Sequence, residues 1–150
     1  MANLQARSQS AARKRRCRCR PGALYSLGTM KILLVEDTDD SRVLFRSMLE
    51  KLGHDVIEAT NGREAVQVAV EQSPDLVLMD LSMPEVDGFQ ATGALRAIRS
   101  FVQMPIIVFS AYSANQYREK ALAVGCDLYL QKPVDLDELS TALKKFARAA

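Results

Sequence analysis

Four apolar runs of strand length in this sequence end in polar residues that can do chemistry. Those residues are Glu36 and Asp37, Asp80, Ser110, and Lys132. The run Leu76-Val77-Leu78-Met79 before Asp80 is apolar at every position, which is typical of a strand buried on both faces of a parallel sheet. Parallel strands direct their carboxyl ends to one edge of the sheet, where open α/β folds bind ligands. The sequence therefore predicts that three carboxylates, a hydroxyl and an ammonium group converge on one shallow pocket.

The chemistry of such a pocket follows from its charges. Neighbouring carboxylates repel and raise one another's pKa unless a cation lies between them, and Mg²⁺ is a hard cation that prefers oxygen ligands. A carboxylate nucleophile beside Mg²⁺, a lysine and a hydroxyl suits phosphoryl transfer, so Asp80 is predicted to form an aspartyl phosphate. Lys132 would offset charge on the transferring oxygens, and Ser110 could donate a hydrogen bond to one. Most of these residues, taken singly, are better explained as loop, surface or helix-capping residues, but four strand ends together favour a site.

The elements that must position these residues alternate regularly from residue 31 onward. Five short apolar runs are each followed by a helical pattern. The helices are predicted at about 39–52, after Asn61-Gly62, after Asp87-Gly88, at 114–124 and at 135–147. Such alternation implies βαβ units with right-handed crossovers and a parallel sheet that has helices on both faces.

Composition places this domain in residues 30–150 and separates it from the first 29 residues. The chain has 150 residues and a net charge of +2, and it contains no apolar run long enough to cross a bilayer. Residues 1–29 have seven basic and no acidic residues, whereas 30–150 have 13 basic and 18 acidic residues. The three cysteines, Cys17, Cys19 and Cys126, form no disulfide framework, which indicates a reducing compartment, and we expect the cytoplasm.

The basic segment 1–29 shows no sustained periodicity and is predicted to be disordered. We favour its interpretation as an extension that precedes a natural domain start at Met30. Binding to nucleic acid or an anionic surface, and organellar targeting, stay open as alternatives. Cys17 and Cys19 supply too few thiols for a closed zinc site.

The motifs around the strand ends resemble the receiver domain of two-component response regulators. The matching segments are Val35-Glu36-Asp37, Leu78-Met79-Asp80-Leu81-Ser82-Met83-Pro84-Glu85-Val86-Asp87-Gly88, Val108-Phe109-Ser110-Ala111 and Lys132-Pro133-Val134. The resemblance covers about 31–147 and implies a flavodoxin-like (βα)5 doubly wound parallel sheet with strand order 2-1-3-4-5. It implies that Asp80 accepts a phosphoryl group from a histidine kinase or a phosphotransfer protein.

The same resemblance implies roles for the other site residues. Asp37, Asp80 and the main-chain carbonyl of Ser82 would bind Mg²⁺, and Glu36 would help through water or charge. Ser110 and Lys132 would contact the phosphoryl group, and a cis peptide bond would join Lys132 to Pro133. Ser110 and Tyr129 would form a conformational switch that changes the surface of helix 4, strand 5 and helix 5, where a protein effector would bind.

Residues outside these roles have simpler interpretations. Ser82 and Tyr112 are each two positions past a site residue and would line the mouth of the pocket. His54 is expected at the surface, because a phosphorelay histidine would need a long amphipathic helix. Cys126 is expected to be a small buried residue without redox function.

The interpretation that we favour is a stand-alone receiver that signals by protein contact, as a monomer or a phosphorylation-dependent dimer, without output domain or membrane contact. One alternative is a degenerate receiver that binds partners without phosphorylation. A second is a nucleic-acid-binding regulator acting through the basic segment, which we do not expect because that segment lacks interleaved aromatic residues. A third is a flavin-binding electron carrier, which the acidic sequence after strand 1 disfavours, since it would repel a phosphate lacking a cation.

Overall fold

Five strands and five helices alternate along the chain in the computed structural model, which describes residues 28–83, 87–112 and 115–147. The strands are β1 Lys31–Val35, β2 Asp55–Ala59, β3 Leu76–Asp80, β4 Ile106–Ser110 and β5 Leu128–Gln131. The helices are α1 Asp39–Lys51, α2 Gly62–Gln72, α3 Gly88–Arg96, α4 Asn115–Val124 and α5 Leu136–Lys144. The alternation that the sequence predicts is therefore confirmed.

The strands form one parallel sheet in the order β2-β1-β3-β4-β5. This is the predicted flavodoxin-like order, and it places β1 and β3 side by side at the centre with β4 next to β3. The register pairs Val35 with Met79 and Asp80 with Phe109. The carboxyl ends of β1, β3 and β4 therefore lie next to one another along a single edge.

Two apolar cores cover the two faces of the sheet, and they explain the uninterrupted apolar runs. Every residue of β3 and β4 is buried. Alternate strand residues such as Val77 and Met79 pack against α2, α3 and α4, whereas Leu76 and Leu78 pack against α1 and α5. Burying one large apolar side chain contributes about 1.5–3 kcal/mol to folding. These central strands are thus a rigid support for the residues at their carboxyl ends.

Helix boundaries follow local capping chemistry. Asn61, Asp87 and Asp135 precede α2, α3 and α5, and their side chains accept hydrogen bonds from backbone N–H groups at 2.8, 2.9 and 2.7 Å. The predicted end of α5 at 147 is wrong, because the helix ends at Lys144. The short 3₁₀ helix Arg99–Phe101 was also absent from the prediction.

Several predictions fall partly outside the described residues. They concern residues 1–27 of the basic segment with Cys17 and Cys19, residues 84–86 of the loop after β3, residue 114 at the predicted start of α4, and residues 148–150. The domain boundaries at 29 and 30 stay predictions. None of the helices in the described ranges has the length and apolar character that a bilayer crossing requires.

Arg96 connects three segments at the end of the sheet away from the strand-end carboxylates. Its guanidinium group donates to the carbonyl oxygens of Gly125, Phe101 and Met104 at 2.8, 2.7 and 2.7 Å. It also pairs with the Asp127 carboxylate at 2.8 Å. One arginine therefore holds together the end of α3, the segment before β4 and the loop before β5.

The prediction that His54 lies at the surface is wrong, because its side chain is only 4% exposed. Gly53 has a φ of 88°, which turns the chain back after α1 and directs His54 inward. The Met30 N–H donates to His54 Nδ1 at 3.3 Å, and among the described residues Nε2 has no hydrogen-bond partner.

The prediction that Cys126 is buried is confirmed, and burial raises the pKa of its thiol to about 11.

We expect His54 to make folding stability depend on pH. Burial lowers the pKa of His54, an effect that the nearby Asp55 carboxylate opposes but does not cancel. Between the ordinary histidine pKa of about 6.5 and the lower folded value, the unfolded chain binds more protons than the folded chain, so stability falls as pH falls. Urea unfolding at several pH values between about 7.5 and 5.5 measures this effect.

The matched variant is His54→Asn, in which the side-chain oxygen can still accept from Met30 but cannot titrate in this range. The free energy of unfolding of the natural chain should drop relative to that of the variant as the pH is lowered. A difference that stays constant over this range would contradict the assignment of a lowered His54 pKa.

Candidate functional site

Three carboxylates from two neighbouring strands meet at the carboxyl edge of the sheet. Glu36 and Asp37 follow β1, and Asp80 ends β3. One carboxylate oxygen from each lies within 4.8 Å of the others. Glu36 and Asp80 are buried, while Asp37 is partly exposed. The structure thus brings together the acidic residues that the sequence predicts there.

Lys132, the residue after the carboxyl end of β5, completes this cluster. Its Nζ lies 2.9 Å from Glu36 Oε2 and 3.3 Å from Asp80 Oδ2. The bond from Lys132 N to the Ser110 carbonyl, at 2.8 Å, continues the strand pairing and places the lysine at this edge. The peptide bond between Lys132 and Pro133 is cis, as predicted.

The Asp80 carboxylate has a fixed orientation because both of its oxygens have partners. Ser82 N donates to Oδ1 at 3.0 Å, and Lys132 holds Oδ2. The side chain of Ser82 itself is exposed, in keeping with a place at the pocket mouth. That the main-chain carbonyl of Ser82 binds a metal ion stays a prediction.

The charges in the cluster shift two pKa values. Burial alone would lower the pKa of the Lys132 ammonium group, but its ion pairs with Glu36 and Asp80 outweigh that effect and raise it. The pKa of Asp37 is also raised, chiefly by burial and then by the neighbouring Glu36 carboxyl group. Lys132 is therefore firmly cationic at neutral pH, whereas the surroundings of Asp37 disfavour its charged form.

This donor set fits a divalent cation. Three carboxylates and one ammonium group leave a formal charge of −2, and oxygen atoms from separate residues lie close enough to share one ion. Mg²⁺ accepts oxygen ligands and keeps several waters, so a few carboxylates at an open pocket suit it. Glu36, Asp37 and Asp80 are the residues that could hold it.

Ser110 and the predicted switch residue Tyr129 are connected through the backbone of Tyr112. Ser110 is fully buried, lies one residue beyond the partner of Asp80 on β4, and accepts a hydrogen bond from Tyr112 N at 3.1 Å. The Tyr129 hydroxyl donates to the Tyr112 carbonyl oxygen. The Tyr112 ring is 47% exposed and stacks on Tyr117 of α4 with ring centroids 4.7 Å apart. A change at Ser110 thus has a short physical route to both Tyr129 and α4.

Sequence reasoning missed two residues that shape the pocket. A Cβ at Gly88 would lie 2.4 Å from the Asp80 carbonyl oxygen, so only glycine lets the start of α3 approach the end of β3 this closely. Arg42, in the first turn of α1, donates to the Glu36 carbonyl oxygen at 3.0 Å. The sequence places Gly88 at the start of a helix and in a matching motif without indicating its contact with Asp80, and nothing in the spacing of Arg42 signals a contact with the preceding loop.

Comparison with known proteins agrees with this geometry. Residues 32–144 match the model of the response regulator receiver domain. The fold, the match and the acidic cluster together place this chain in the response regulator receiver domain family. It thus belongs to the proteins of two-component signalling.

Two curated relatives illustrate the range of similarity. The chain is 31% identical over 118 residues to the polar-differentiation response regulator DivK of Brucella ovis, covering 79% of this chain and 96% of DivK. It is 37% identical over 126 residues to an uncharacterised 14.6 kDa protein of Leptolyngbya boryana, covering 84% and 96% of the two chains.

Two solved structures share the architecture. The receiver domain of the sensor histidine kinase PA1611 from Pseudomonas aeruginosa, whose active-site cleft holds a magnesium ion, is 35% identical with a TM-score of 0.75, covering 81% of this chain and 99% of that one. The chemotaxis protein CheY4 of Vibrio cholerae is 27% identical with a TM-score of 0.75, covering 79% and 98%.

Proposed function

We propose that this receiver is a phosphoacceptor switch in which Asp80 takes a phosphoryl group from a histidine kinase or phosphotransfer protein. The observation that carries the proposal is the ion pairing of Lys132 with both Glu36 and Asp80 beside the Asp37 carboxylate. An ordinary surface acid would not need a partly buried lysine that it shares with a second carboxylate. The complete set of charged groups also supports a phosphorylatable receiver over a degenerate one.

The transfer step moves one phosphoryl group between two nucleophiles. An Asp80 carboxylate oxygen forms a bond to phosphorus while the phosphorus–nitrogen bond of the donor phosphohistidine breaks, and the imidazole leaves with the electron pair. Lys132 can shift from Asp80 toward the developing charge on the equatorial oxygens, since it lies within reach of the same carboxylate. Ser110 supplies a hydroxyl at the neighbouring strand end. Mg²⁺ held by Glu36, Asp37 and Asp80 would neutralise charge on the transferring oxygens.

We propose that the signal leaves through the Ser110, Tyr112 and Tyr129 connection. A phosphoryl group on Asp80 offers Ser110 a new acceptor, and Tyr112 then conveys the change to Tyr129 and to α4. Leu122 of α4 and Leu136 of α5 are exposed, as is Tyr112, which stacks on Tyr117 of α4, and such apolar side chains suit a protein effector in the cytoplasm. Signalling would occur as a monomer or as a phosphorylation-dependent dimer.

Incubation with a small acyl phosphate donor and Mg²⁺ should phosphorylate the chain once, because the donor needs only the receiver's own site residues. Intact mass spectrometry measures the product, and a brief alkaline treatment should remove the group, as expected for an acyl phosphate. Omitting Mg²⁺ and adding a chelator is the matched control and should reduce labelling to background.

Two outcomes would contradict the proposal. One is labelling that proceeds equally in the presence of chelator. The other is an alkali-stable modification, which would indicate a hydroxyl or imidazole acceptor instead of a carboxylate.

A further inference from the structure

We propose that Arg42 is a positioning residue for the divalent-cation site, an inference that rests on the proposed function. It acts through the backbone of the loop between β1 and α1. Removing it should weaken Mg²⁺ binding, although a positive charge near the site is lost with it.

The guanidinium group of Arg42 makes contacts on three sides. Nη1 donates to the Glu36 carbonyl oxygen at 3.0 Å, Nη2 pairs with Asp39 at the start of α1, and Nε lies 3.9 Å from Glu58 Oε1 on β2. The side chain is only 16% exposed, unlike an ordinary surface arginine. Arg42 therefore ties the acidic loop to both the helix that follows it and the neighbouring strand.

The contact with the Glu36 carbonyl matters because that carbonyl belongs to the peptide plane joining Glu36 to Asp37. Fixing the plane sets the direction in which the Asp37 side chain leaves the backbone. Glu36 has a second anchor, since Lys132 holds its carboxylate at 2.9 Å. The Asp37 carboxylate has a contact from the Thr38 hydroxyl at 3.5 Å, the limit of a hydrogen bond, so its position depends chiefly on the backbone.

Electrostatic repulsion alone predicts the opposite change in Mg²⁺ affinity when Arg42 is removed. Glu36 and Asp37 repel each other, and a loop without Arg42 can relax that repulsion by moving Asp37 away from the cluster. A metal site whose ligand must first be brought back binds its ion more weakly. A purely electrostatic role would instead make Mg²⁺ binding tighter when the Arg42 guanidinium group is removed, because a positive side chain near the site repels Mg²⁺. The sign of the change distinguishes the two roles.

Arg46 offers a matched control one turn further along α1. It pairs with Glu50 at 3.1 Å and with Glu58 at 3.5 Å, so it shares a partner with Arg42 and carries the same charge. These two contacts are with α1 and β2 instead of the acidic loop. Replacing each arginine by glutamine removes the same charge from the same helix face.

The experiment measures Mg²⁺ affinity of the unphosphorylated chain by isothermal titration calorimetry at about 0.15 M salt, where screening limits long-range charge effects. Arg42→Gln should bind Mg²⁺ about tenfold more weakly than the natural chain, whereas Arg46→Gln should bind it unchanged or slightly more tightly. Arg42→Lys keeps the charge, but an ammonium group cannot make all the contacts of the guanidinium group. The Mg²⁺ affinity of this variant should lie between those of Arg42→Gln and the natural chain. In metal-free NMR spectra, the Asp37 and Thr38 amide signals should broaden in Arg42→Gln alone.

Each result decides the question. Unchanged or tighter Mg²⁺ binding in Arg42→Gln, as in Arg46→Gln, overturns the positioning role while leaving the proposed function intact. Absence of Mg²⁺ binding in the natural chain overturns both. If Arg42→Gln does not fold, Arg42→Lys decides alone, and natural affinity in that variant overturns the inference.

Discussion

Asp80→Asn is expected to take up no detectable phosphoryl group from an acyl phosphate donor in the presence of Mg²⁺. The neutral amide is a poor nucleophile toward phosphorus, and the substitution also removes one of the three carboxylates from the cluster. Lys132 keeps its 2.9 Å ion pair with Glu36 in this variant, so no buried charge loses all its partners. The variant should therefore stay folded and fail only in the chemistry, as measured by intact mass after incubation with donor.

Asp87→Asn is the matched control for this substitution. Asp87 also follows β3 and also changes from acid to amide, but its side chain caps α3 by accepting from Gln90 N at 2.9 Å, a role that asparagine fills equally well. This control should be phosphorylated like the natural chain. Alkali-labile labelling that persists in Asp80→Asn at another residue would contradict the assignment of Asp80.

The part of the site that sequence could predict is the part that depends on strand ends. An apolar run on every residue identifies a strand buried on both faces, and β3 and β4 are buried throughout. Once the sheet is parallel, the residues after those runs must share an edge, and the ion pairs of Lys132 with Glu36 and Asp80 agree with that expectation. Periodicity and topology are enough to predict which residues share this edge, because that prediction requires no side-chain detail.

The part that sequence could not predict depends on packing between segments distant along the chain. His54 follows a glycine in a short loop, a context that equally suits an exposed residue, and its contact with Met30 N joins residues 24 positions apart that the sequence alone does not bring together. Gly88 looks like a turn glycine, but the reason for it is the end of β3. The positions of Arg42 and Arg96 are ordinary for helix surfaces, and their contacts become evident only when loops are placed beside them.

Arg96 illustrates how much such a contact can matter for stability. Its side chain is 17% exposed, and it donates to the partly buried carbonyl oxygens of three backbone positions and to the exposed Val102 carbonyl oxygen at 3.3 Å. Gly125, one of these positions, has a φ of 110°, and a Cβ there would lie 2.9 Å from Arg96 Cγ. The loop before β5 is therefore shaped around this arginine, and the same Asp127 carboxylate that pairs with it accepts from Ile106 N at 2.8 Å at the start of β4.

Arg96→Met is expected to lower the free energy of unfolding by about 3 kcal/mol, because each partly buried carbonyl that loses its partner costs about 1 kcal/mol. Methionine retains most of the aliphatic stem, so the loss reports the guanidinium contacts and not a cavity. Arg99→Met makes the same change at an exposed position three residues further along the chain, and it should shift stability by less than about 0.5 kcal/mol. Urea unfolding measures both values. Equal effects of the two substitutions would show that Arg96 is an ordinary surface residue, whereas a large effect at Arg96 alone would identify it as the residue that joins α3, β4 and the loop before β5.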